Sequence, residues 1–393
     1  MEHPLSAFPR GTVWHLLQHF VSDPDKVAQA VAVYVEPSPP QADDLPIAER
    51  LIEVFHAMID HEASAVPLER RPNEGIWEMV RHEFHGPIYQ ILLDKNVEGL
   101  AEYLRNGLRE SVCYGLGPGP QHFAALREIG EPRAANVLII LDRLAALAEA
   151  VGALPYENPE QGRYGINTGL GVTELIAAIE RTIGTEIHRP PVMGICGLRD
   201  GADRIIDCRV PDDVYGVHRM RTIKEMFGLR SVCEIGGGFG GAAFQAIRNG
   251  FHTYTIFDLP VICIVQGFFL MKIFGSDQVR MFGKDVPDKR VNILPYWSFF
   301  DRSRSFDLVF NRDSLPEMPR GRAIEYLTEI AERRAVLLSI NQEAEAGAGQ
   351  PGLHQLRVSD LCEQTPGMQR VARHPYWMRK GYVEEVYRSV DVG

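Results

Sequence analysis

Residues Val232–Gly241 read VCEIGGGFGG, an apolar run that ends in an acid and continues into glycines at alternate positions. A second apolar run, YTIFDLP at Tyr254–Pro260, also ends in an acid, Asp258. Together they predict a strand, a tight turn that opens a helix, and a second strand whose carboxylate faces the turn. A unit of this kind holds a nucleoside at the carboxyl edge of a parallel sheet.

Two nucleoside cofactors fit this loop. The spacing G-x-G-x-x-G, from Gly236 to Gly241, satisfies the fingerprint of dinucleotide-binding proteins and favours a nicotinamide or flavin. The spacing E-x-G-x-G-x-G, from Glu234 to Gly240, places an acid before the glycines, which suits the ammonium group of S-adenosylmethionine. Asp258 would accept hydrogen bonds from ribose hydroxyls with either cofactor, so Glu234 favours S-adenosylmethionine. A glycine-rich turn without a ligand is the remaining interpretation.

The composition limits the class of protein. The chain has 393 residues, of which 45% are hydrophobic and 24% charged, with a net charge of −11. This length predicts more than one domain, and this composition is typical of soluble globular proteins. The acidic balance argues against a nucleic-acid partner, because binding phosphates requires clustered lysines and arginines.

Targeting signals and metal motifs are not evident in the sequence. The N-terminus lacks the basic and apolar regions of a signal peptide, and charged or polar residues interrupt the most apolar runs, so no membrane association is predicted. The six cysteines form no C-x-x-C pair, which indicates reduced thiols. We therefore expect a cytoplasmic protein. Histidine pairs lack a third ligand, so no metal site is predicted.

The periodicity predicts three regions. Residues 1–190 show the three- and four-residue spacing of helices and are expected to cap the substrate site or to mediate oligomerisation, for example in a homodimer. Residues 191–230 predict a hairpin and a connecting helix. Residues 231–393 alternate between strand and helix, as in an α/β cofactor-binding domain. The predicted N-terminal helices are Leu45–Ile59, Ile76–Leu93, Val97–Leu108 and Ala134–Leu154, and the hairpin and helix that follow are Val192–Leu198, Arg204–Val210 and Val214–Phe227.

In the C-terminal region, the pattern predicts five parallel strands followed by a pair with a short connection, a layout that favours a methyltransferase sheet over a symmetric dinucleotide fold. The predicted strands are Ser231–Ile235, Thr253–Phe257, Val291–Leu294, Phe306–Phe310, Ala335–Ile340, Gln369–Arg373 and Val383–Arg388. The predicted helices are Gly240–Arg248, Pro260–Phe274 and Arg320–Glu332.

The segments EIGGGFGG and FDLP, at Glu234–Gly241 and Phe257–Pro260, resemble class I S-adenosylmethionine-dependent methyltransferases, and more narrowly the sugar O-methyltransferase family. The resemblance covers residues from about 210 to the end. It implies a Rossmann-like class I methyltransferase sheet and O-methylation of a sugar or sugar-containing metabolite in a biosynthetic step. Other matching segments are Asn292–Pro295, Phe306–Met318, Ser339–Glu343 and Trp377–Glu385.

The FDLP segment also resembles plant-type small-molecule O-methyltransferases, in which the aspartate binds ribose; by this resemblance Asp258 has that role. Those enzymes carry a catalytic histidine near the position of Leu315, where this chain has none. The residues expected to contact the cofactor are Glu234, Gly236, Gly238, Gly240, Phe257, Asp258, Leu259 and Asn311.

A general base that deprotonates the acceptor hydroxyl is expected among the residues after the fourth strand, because they emerge beside the cofactor at the sheet edge. Asp313 and Glu317 lie there in NRDSLPEM, and either could deprotonate a hydroxyl. A helix cap formed by Asp313-Ser314 and Glu317 is the structural alternative. Three histidines are further candidate bases: His354 in a glycine-rich loop, His374 and His218.

The sequence thus predicts a small-molecule methyltransferase that uses S-adenosylmethionine. The nearer alternative is the same fold methylating nitrogen or carbon of a non-sugar natural product. The distant alternatives are an NAD(P)-dependent oxidoreductase and a binding protein without catalytic activity.

Overall fold

The computed structural model describes residues 32–35, 39–71, 76–116, 134–158, 160, 166–167, 169–200, 204–283, 287–343 and 355–390. The helices of this part of the chain are α1 Asp44–Ala65, α2 Ile76–Glu83, α3 Gly86–Leu93, α4 Val97–Arg105, α5 Ala134–Ala150, α6 Val172–Ile183, α7 Val210–Phe227, α8 Gly241–Arg248, α9 Pro260–Phe274, α10 Arg320–Glu332 and α11 Val358–Glu363. The strands are β1 Ala32–Val35, β2 Ile195–Asp200, β3 Arg204–Ile206, β4 Val232–Ile235, β5 Tyr254–Asp258, β6 Val279–Arg280, β7 Val291–Pro295, β8 Leu308–Arg312, β9 Val336–Gln342, β10 Met368–Pro375 and β11 Tyr382–Ser389.

An eight-stranded sheet organises the C-terminal half, in the order β10-β11-β9-β8-β4-β5-β7-β6. Strands β4 to β9 pair in parallel, whereas β11 runs antiparallel to β9 and to β10. All seven predicted strands are present, and the two-residue β6 is an addition. The structure confirms the predicted α/β class and the Rossmann-like methyltransferase sheet. Because β4 and β5 are neighbours, their carboxyl ends bring the glycine turn and Asp258 together.

Helix α9 joins this sheet to the N-terminal helices. Twelve of its fifteen residues are buried, because the helix is apolar on all sides and packs between the sheet and α1. At Gly267 a side chain would come within 2.7 Å of Leu51 of α1, so the glycine permits the close approach. Arg50 of α1 donates hydrogen bonds to the carbonyl oxygens of Ser276 and Val279 at 2.7 and 2.9 Å. The apolar core is therefore continuous from α1 into the sheet.

The N-terminal region departs from the prediction in two places. The expected helix Ile76–Leu93 is divided into α2 and α3, because Pro87 stands in the first turn of α3 and cannot continue a helix from the preceding turn. The region is also not wholly helical, since β1 pairs antiparallel with β2. The predicted hairpin is confirmed as β2 and β3, and α7 begins at Val210, one turn earlier than expected.

The domain boundaries at residues 190 and 230 stay predictions. In the described ranges, none of the helices has both the length and the apolar character needed to span a bilayer.

Candidate functional site

The glycine turn after β4 has the backbone geometry that only glycine adopts readily. Gly236, Gly238 and Gly240 have φ angles of 76°, 54° and 88°, in the left-handed region. A Cβ at Gly236 would collide with the hydroxyl of Ser314, which itself donates to the carbonyl of Ile235 at 2.8 Å. At Gly238, by contrast, a Cβ would meet no atom within 4 Å. The turn thus packs against protein on one side and leaves its backbone open to a ligand on the other.

Asp258, at the end of β5, faces this turn as the sequence predicted. Its carboxylate accepts hydrogen bonds from the backbone N–H groups of Gly237 and Leu259, at 2.9 and 2.8 Å. Gln266 of α9 adds a third donor at 2.7 Å and also donates to the carbonyl of Gly238. Burial raises the pKa of Asp258 to about 6, while these donors counteract the shift. Sequence reasoning missed Gln266, because a lone polar residue in an apolar helix does not reveal its partner.

Glu234, the acid before the glycines, is 2% exposed and lies on the wall of the cavity beside the turn. Its carboxyl group accepts a hydrogen bond from the hydroxyl of Tyr254 at 3.2 Å. Burial raises the pKa of Glu234 to about 8, although the nearby Arg312 guanidinium lowers it. A cation bound at this wall would favour the ionised form, so Glu234 fits a positively charged ligand group.

Asn311 does not have the position predicted for it. Its side chain is completely buried, donates to the carbonyl of Ile235 at 3.0 Å and accepts from the amide of Asn341 at 3.0 Å. It therefore ties β4, β8 and β9 together inside the sheet, where it cannot make a cofactor contact. Phe257 and Leu259, also predicted as cofactor contacts, do line the cavity.

A cavity of about 440 Å³ begins at the glycine turn and extends below the N-terminal helices. Its walls combine the turn, the segment after β8 and residues from the N-terminal half. The N-terminal lining residues are Glu69, Arg70, Arg71, Trp77, Gly115 and Leu116. The N-terminal region therefore supplies part of the cavity wall, and its role as a substrate cap stays a prediction.

Asp313 follows β8 and has a left-handed backbone, with φ of 69°. Its carboxylate accepts two hydrogen bonds from Arg379, at 2.9 and 3.2 Å, and one from Arg209 at 3.4 Å. Burial raises the pKa of Asp313, but the positive charges of Arg379 and Arg209 lower it by more. The pKa of Asp313 is therefore below its usual value. Asp313 is therefore a counter-ion for these arginines and a weak base.

Glu317 lies one turn further on and has the opposite character. Its carboxylate accepts a hydrogen bond from the indole N–H of Trp77 at 2.8 Å. Burial and the negative charge of Asp313 raise the pKa of Glu317 to about 7. A carboxyl group that titrates near neutrality on a cavity wall is suited to take a proton from a hydroxyl. Of the two predicted acids, Glu317 is the better base.

The other predicted residues are less central. His354 lies outside the described residues. His374 is on the exposed edge strand β10, and His218 is on α7, where burial lowers its pKa; neither lines the cavity. Among the described residues, no group of three or more histidines, cysteines or carboxylates is arranged to hold a metal ion.

Sequence reasoning also missed the arginines of the cavity. Four of them come from distant parts of the chain and are held against aspartates: Arg189, Arg209, Arg312 and Arg379. No local pattern links them, because their proximity depends on the meeting of α7, β8 and the β10–β11 connection.

Comparisons with known proteins gave likenesses of fold only. No family model matches the sequence, and no curated protein matches it. Among solved structures, TnmH is 19% identical with a TM-score of 0.31, and the match covers 47% of this chain and 58% of TnmH. EvdMO1 is 14% identical with a TM-score of 0.32, and the match covers 49% of this chain and 44% of EvdMO1.

The mitomycin 7-O-methyltransferase MmcR is 14% identical with a TM-score of 0.36, over 88% of this chain and 96% of MmcR. This chain spans only about half of TnmH and EvdMO1. With TM-scores well below 0.5, these likenesses leave the reaction of this chain open.

Proposed function

We propose that this protein is an S-adenosylmethionine-dependent methyltransferase that methylates a hydroxyl group of a small molecule, with a sugar or sugar-containing metabolite as acceptor. One observation carries the proposal: a single cavity is lined both by the open glycine turn and by Glu317, a carboxyl group whose pKa is about 7. The proposed cofactor pocket and the proposed base therefore open into the same cavity.

The residues of the turn fit this cofactor. The open face at Gly238 gives room for the backbone to approach the amino-acid tail, and Glu234 is placed for its ammonium group. Asp258, held by three donors, presents its carboxylate for the ribose hydroxyls. When bound, S-adenosylmethionine supplies an activated methyl group, so the protein needs chiefly to align the acceptor and exclude water.

Glu317 supplies the acid–base chemistry. Trp77 holds Oε2 of its carboxylate, which leaves Oε1 to accept the hydroxyl proton of the acceptor. General-base assistance of this kind contributes roughly 10²–10⁴-fold to such reactions. The N-terminal residues that cover the cavity keep water from the acceptor oxygen.

A hydroxyl acceptor is favoured over a neutral amine, because an amine does not need a base before it attacks. Glu317 would then have no catalytic task. The choice of a sugar rests on the resemblance of the C-terminal half to sugar O-methyltransferases. An NAD(P)-dependent reaction is disfavoured, because a pyrophosphate offers no positive charge to Glu234, whereas the ammonium group of S-adenosylmethionine does.

The test is a methyl-transfer assay with S-adenosylmethionine labelled in the methyl group. Neutral sugars, sugar acids, nucleotide sugars and amines are offered as acceptors, and the products are identified by mass spectrometry. We expect the label on an oxygen of a sugar-containing acceptor. Label found on amines alone would show that the acceptor group is an amine and would contradict O-methylation. NAD(P)-dependent turnover without methyl transfer would contradict the whole proposal.

A further inference from the structure

The arginines of the cavity belong to a network of ion pairs that surrounds the segment after β8. Five arginines and four aspartates take part, with Arg379 shared between two aspartates. The pairs are Arg143–Asp212 at 2.9 Å, Arg379–Asp212 at 3.0 Å, Arg379–Asp313 at 2.9 Å, Arg209–Asp313 at 3.4 Å, Arg312–Asp213 at 2.5 Å, and Arg189–Asp207. Although the whole chain has a net charge of −11, this network has more arginines than aspartates.

Five further acids line the same cavity: Glu69, Glu234, Asp258, Glu317 and Glu325. Burial raises the pKa of Glu234 to about 8 and that of Glu317 to about 7. Glu234 is therefore mostly neutral at pH 7, and Glu317 is only partly ionised. Glu69, Asp258 and Glu325 are matched in number by Arg70, Arg71 and Arg322, which also line the cavity. The excess of arginines within the network is therefore not cancelled by the rest of the lining.

Arg209 is the least engaged member of this network. Asp313, its partner, already accepts two hydrogen bonds from Arg379, so Arg209 reaches it through a single contact of 3.4 Å. The Arg209 side chain is 29% exposed and lines the cavity. A guanidinium group has five N–H donors in a planar fork, and within the described residues one side-chain hydrogen bond, to Asp313, engages those of Arg209.

The position of Arg209 is fixed by its own backbone. It directly precedes α7, and its N–H group donates to the carboxylate of Asp207 at 2.7 Å. Arg209 pairs with Asp313, four residues before Glu317, and both Arg209 and Glu317 line the cavity, so the guanidinium lies in the same space as the proposed base. A group bound by Arg209 would therefore lie close to the oxygen that Glu317 deprotonates.

Arg312 gives a second, independent indication. It pairs with Asp213 through one nitrogen, while its buried Nη1 has no hydrogen-bond partner within the described residues. An unsatisfied donor in a buried position costs free energy, and the electrostatic attraction of an anion in the cavity that Arg312 lines would offset part of that cost. Both arginines thus indicate that the cavity receives negatively charged oxygens.

We propose that Arg209 binds an anionic group of the acceptor, a carboxylate or a phosphate, beside the hydroxyl that Glu317 deprotonates. This rests on the proposed methyltransferase function and narrows its acceptor to the acidic members of the class, such as sugar acids or sugar phosphates. Planar guanidinium groups match both anions in geometry, and the covered cavity strengthens the attraction. The adjacent Asp313 keeps Arg209 in place when no acceptor is bound.

The test compares two probes that differ at one carbon, D-glucuronate and D-glucose, by ligand-observed NMR with and without S-adenosylhomocysteine. We expect glucuronate to bind about tenfold or more tightly than glucose, as hydrogen bonds to a charged group imply. Arg209→Met should remove this preference, and Arg209→Lys should restore part of it. Arg181→Met, which removes the same charge from the exposed face of α6, should leave it unchanged.

Equal affinity for the two probes, or a preference that survives in Arg209→Met, would overturn the proposal. The amino-acid tail of the cofactor is the other source of a carboxylate, so the affinity for S-adenosylhomocysteine is measured in the same variants. We expect it to be unchanged in Arg209→Met. A tenfold loss there, with 5′-methylthioadenosine unaffected, would assign Arg209 to the cofactor and overturn its role with the acceptor.

The two proposals fail in different ways. A wild-type protein that does not bind S-adenosylhomocysteine contradicts the proposed function. The glucuronate preference measured without cofactor decides the role of Arg209 separately. Thermal unfolding of each variant verifies that a lost preference is not a lost fold.

Discussion

Asp313 and Glu317 lie four residues apart in one segment, yet their surroundings give their carboxyl groups different chemistry. Two arginines lower the pKa of Asp313, whereas burial next to that negative charge raises the pKa of Glu317 to about 7. Neighbouring acids whose pKa values are separated in this way take separate roles. Asp313 accepts hydrogen bonds from Arg379 and Arg209, and Glu317 is the proposed general base.

The first prediction is that Glu317→Gln lowers kcat by about 100-fold, because the variant cannot accept the hydroxyl proton. Cofactor affinity should change little. In the wild-type enzyme kcat should rise with pH through about 7, since only the ionised carboxylate is a base and it forms above its pKa. Steady-state kinetics from pH 5.5 to 8.5 measure both effects.

Asp313→Asn and His354→Ala are the comparisons for this variant. Full turnover in Glu317→Gln with a loss in Asp313→Asn would reverse the roles of the two acids. Full turnover in Glu317→Gln with a loss in His354→Ala would place the base in the loop that contains His354.

At the scale of elements, the proposed base depends on a contact between distant parts of the chain. Trp77 lies on helix α2, and Glu317 lies in the segment after β8. The indole N–H of Trp77 donates a hydrogen bond of 2.8 Å to the carboxylate of Glu317. A hydrogen bond to the carboxylate favours its ionised form, so Trp77 counteracts the effect of burial on the pKa of Glu317. We expect Trp77 to be a positioning residue.

The chain has four tryptophans, so an indole-labelled sample gives few resonances. We predict that the Trp77 indole N–H signal shifts with pH with a midpoint near 7, and that Glu317→Gln abolishes this titration. Trp77→Phe keeps an aromatic ring but removes the donor, so it should raise the pKa of Glu317 and move the kcat–pH profile to higher pH. An indole signal that does not titrate, or a kcat–pH profile that is the same in Trp77→Phe as in the wild type, would contradict the hydrogen bond between Trp77 and Glu317.

At the scale of the whole molecule, the N-terminal helices and the sheet share one core. Helix α9 is apolar on all sides and is covered by α1, with Gly267 against Leu51. Removal of the N-terminal half would expose that side of α9 to water and would also remove the cover of the cavity. The two halves should therefore depend on each other for stability as well as for activity.

We predict that a fragment of residues 191–393 is poorly soluble or only partly folded when produced alone. The exposed face of α9 is the reason, and the full chain produced in parallel is the control. Near-ultraviolet circular dichroism and sedimentation measure the outcome. A monomeric fragment with a cooperative thermal transition would show that the C-terminal half is independent.

The sequence predicted the sheet and the glycine turn because their determinants are local. Short apolar runs define the strands, and positive φ angles require glycine at Gly236 and Gly238. Asp258 was predicted for the same reason, since parallel strands end at a common edge. The division of α2 from α3 could have been inferred from Pro87, whereas β6 is too short to give a pattern.

The rest of the site depends on contacts between distant residues. Asn311 has the residue type of a cofactor contact, but its burial between three strands is a property of the sheet. Gln266, Trp77 and Arg209 gain their importance from partners at sequence separations of 8, 240 and 104 residues. Neither composition nor periodicity carries such information, so the choice between Asp313 and Glu317 required the structure.

The central claim is that the glycine turn and Asp258 bind S-adenosylmethionine. Isothermal titration calorimetry of the purified protein with S-adenosylhomocysteine and with NAD tests it most directly. We predict binding of S-adenosylhomocysteine and none of NAD, and an affinity at least about tenfold lower in Asp258→Ala, because hydrogen bonds from the ribose to a charged acceptor are lost. Binding of NAD without a signal for S-adenosylhomocysteine, or unchanged affinity in a folded Asp258→Ala variant, would contradict the account.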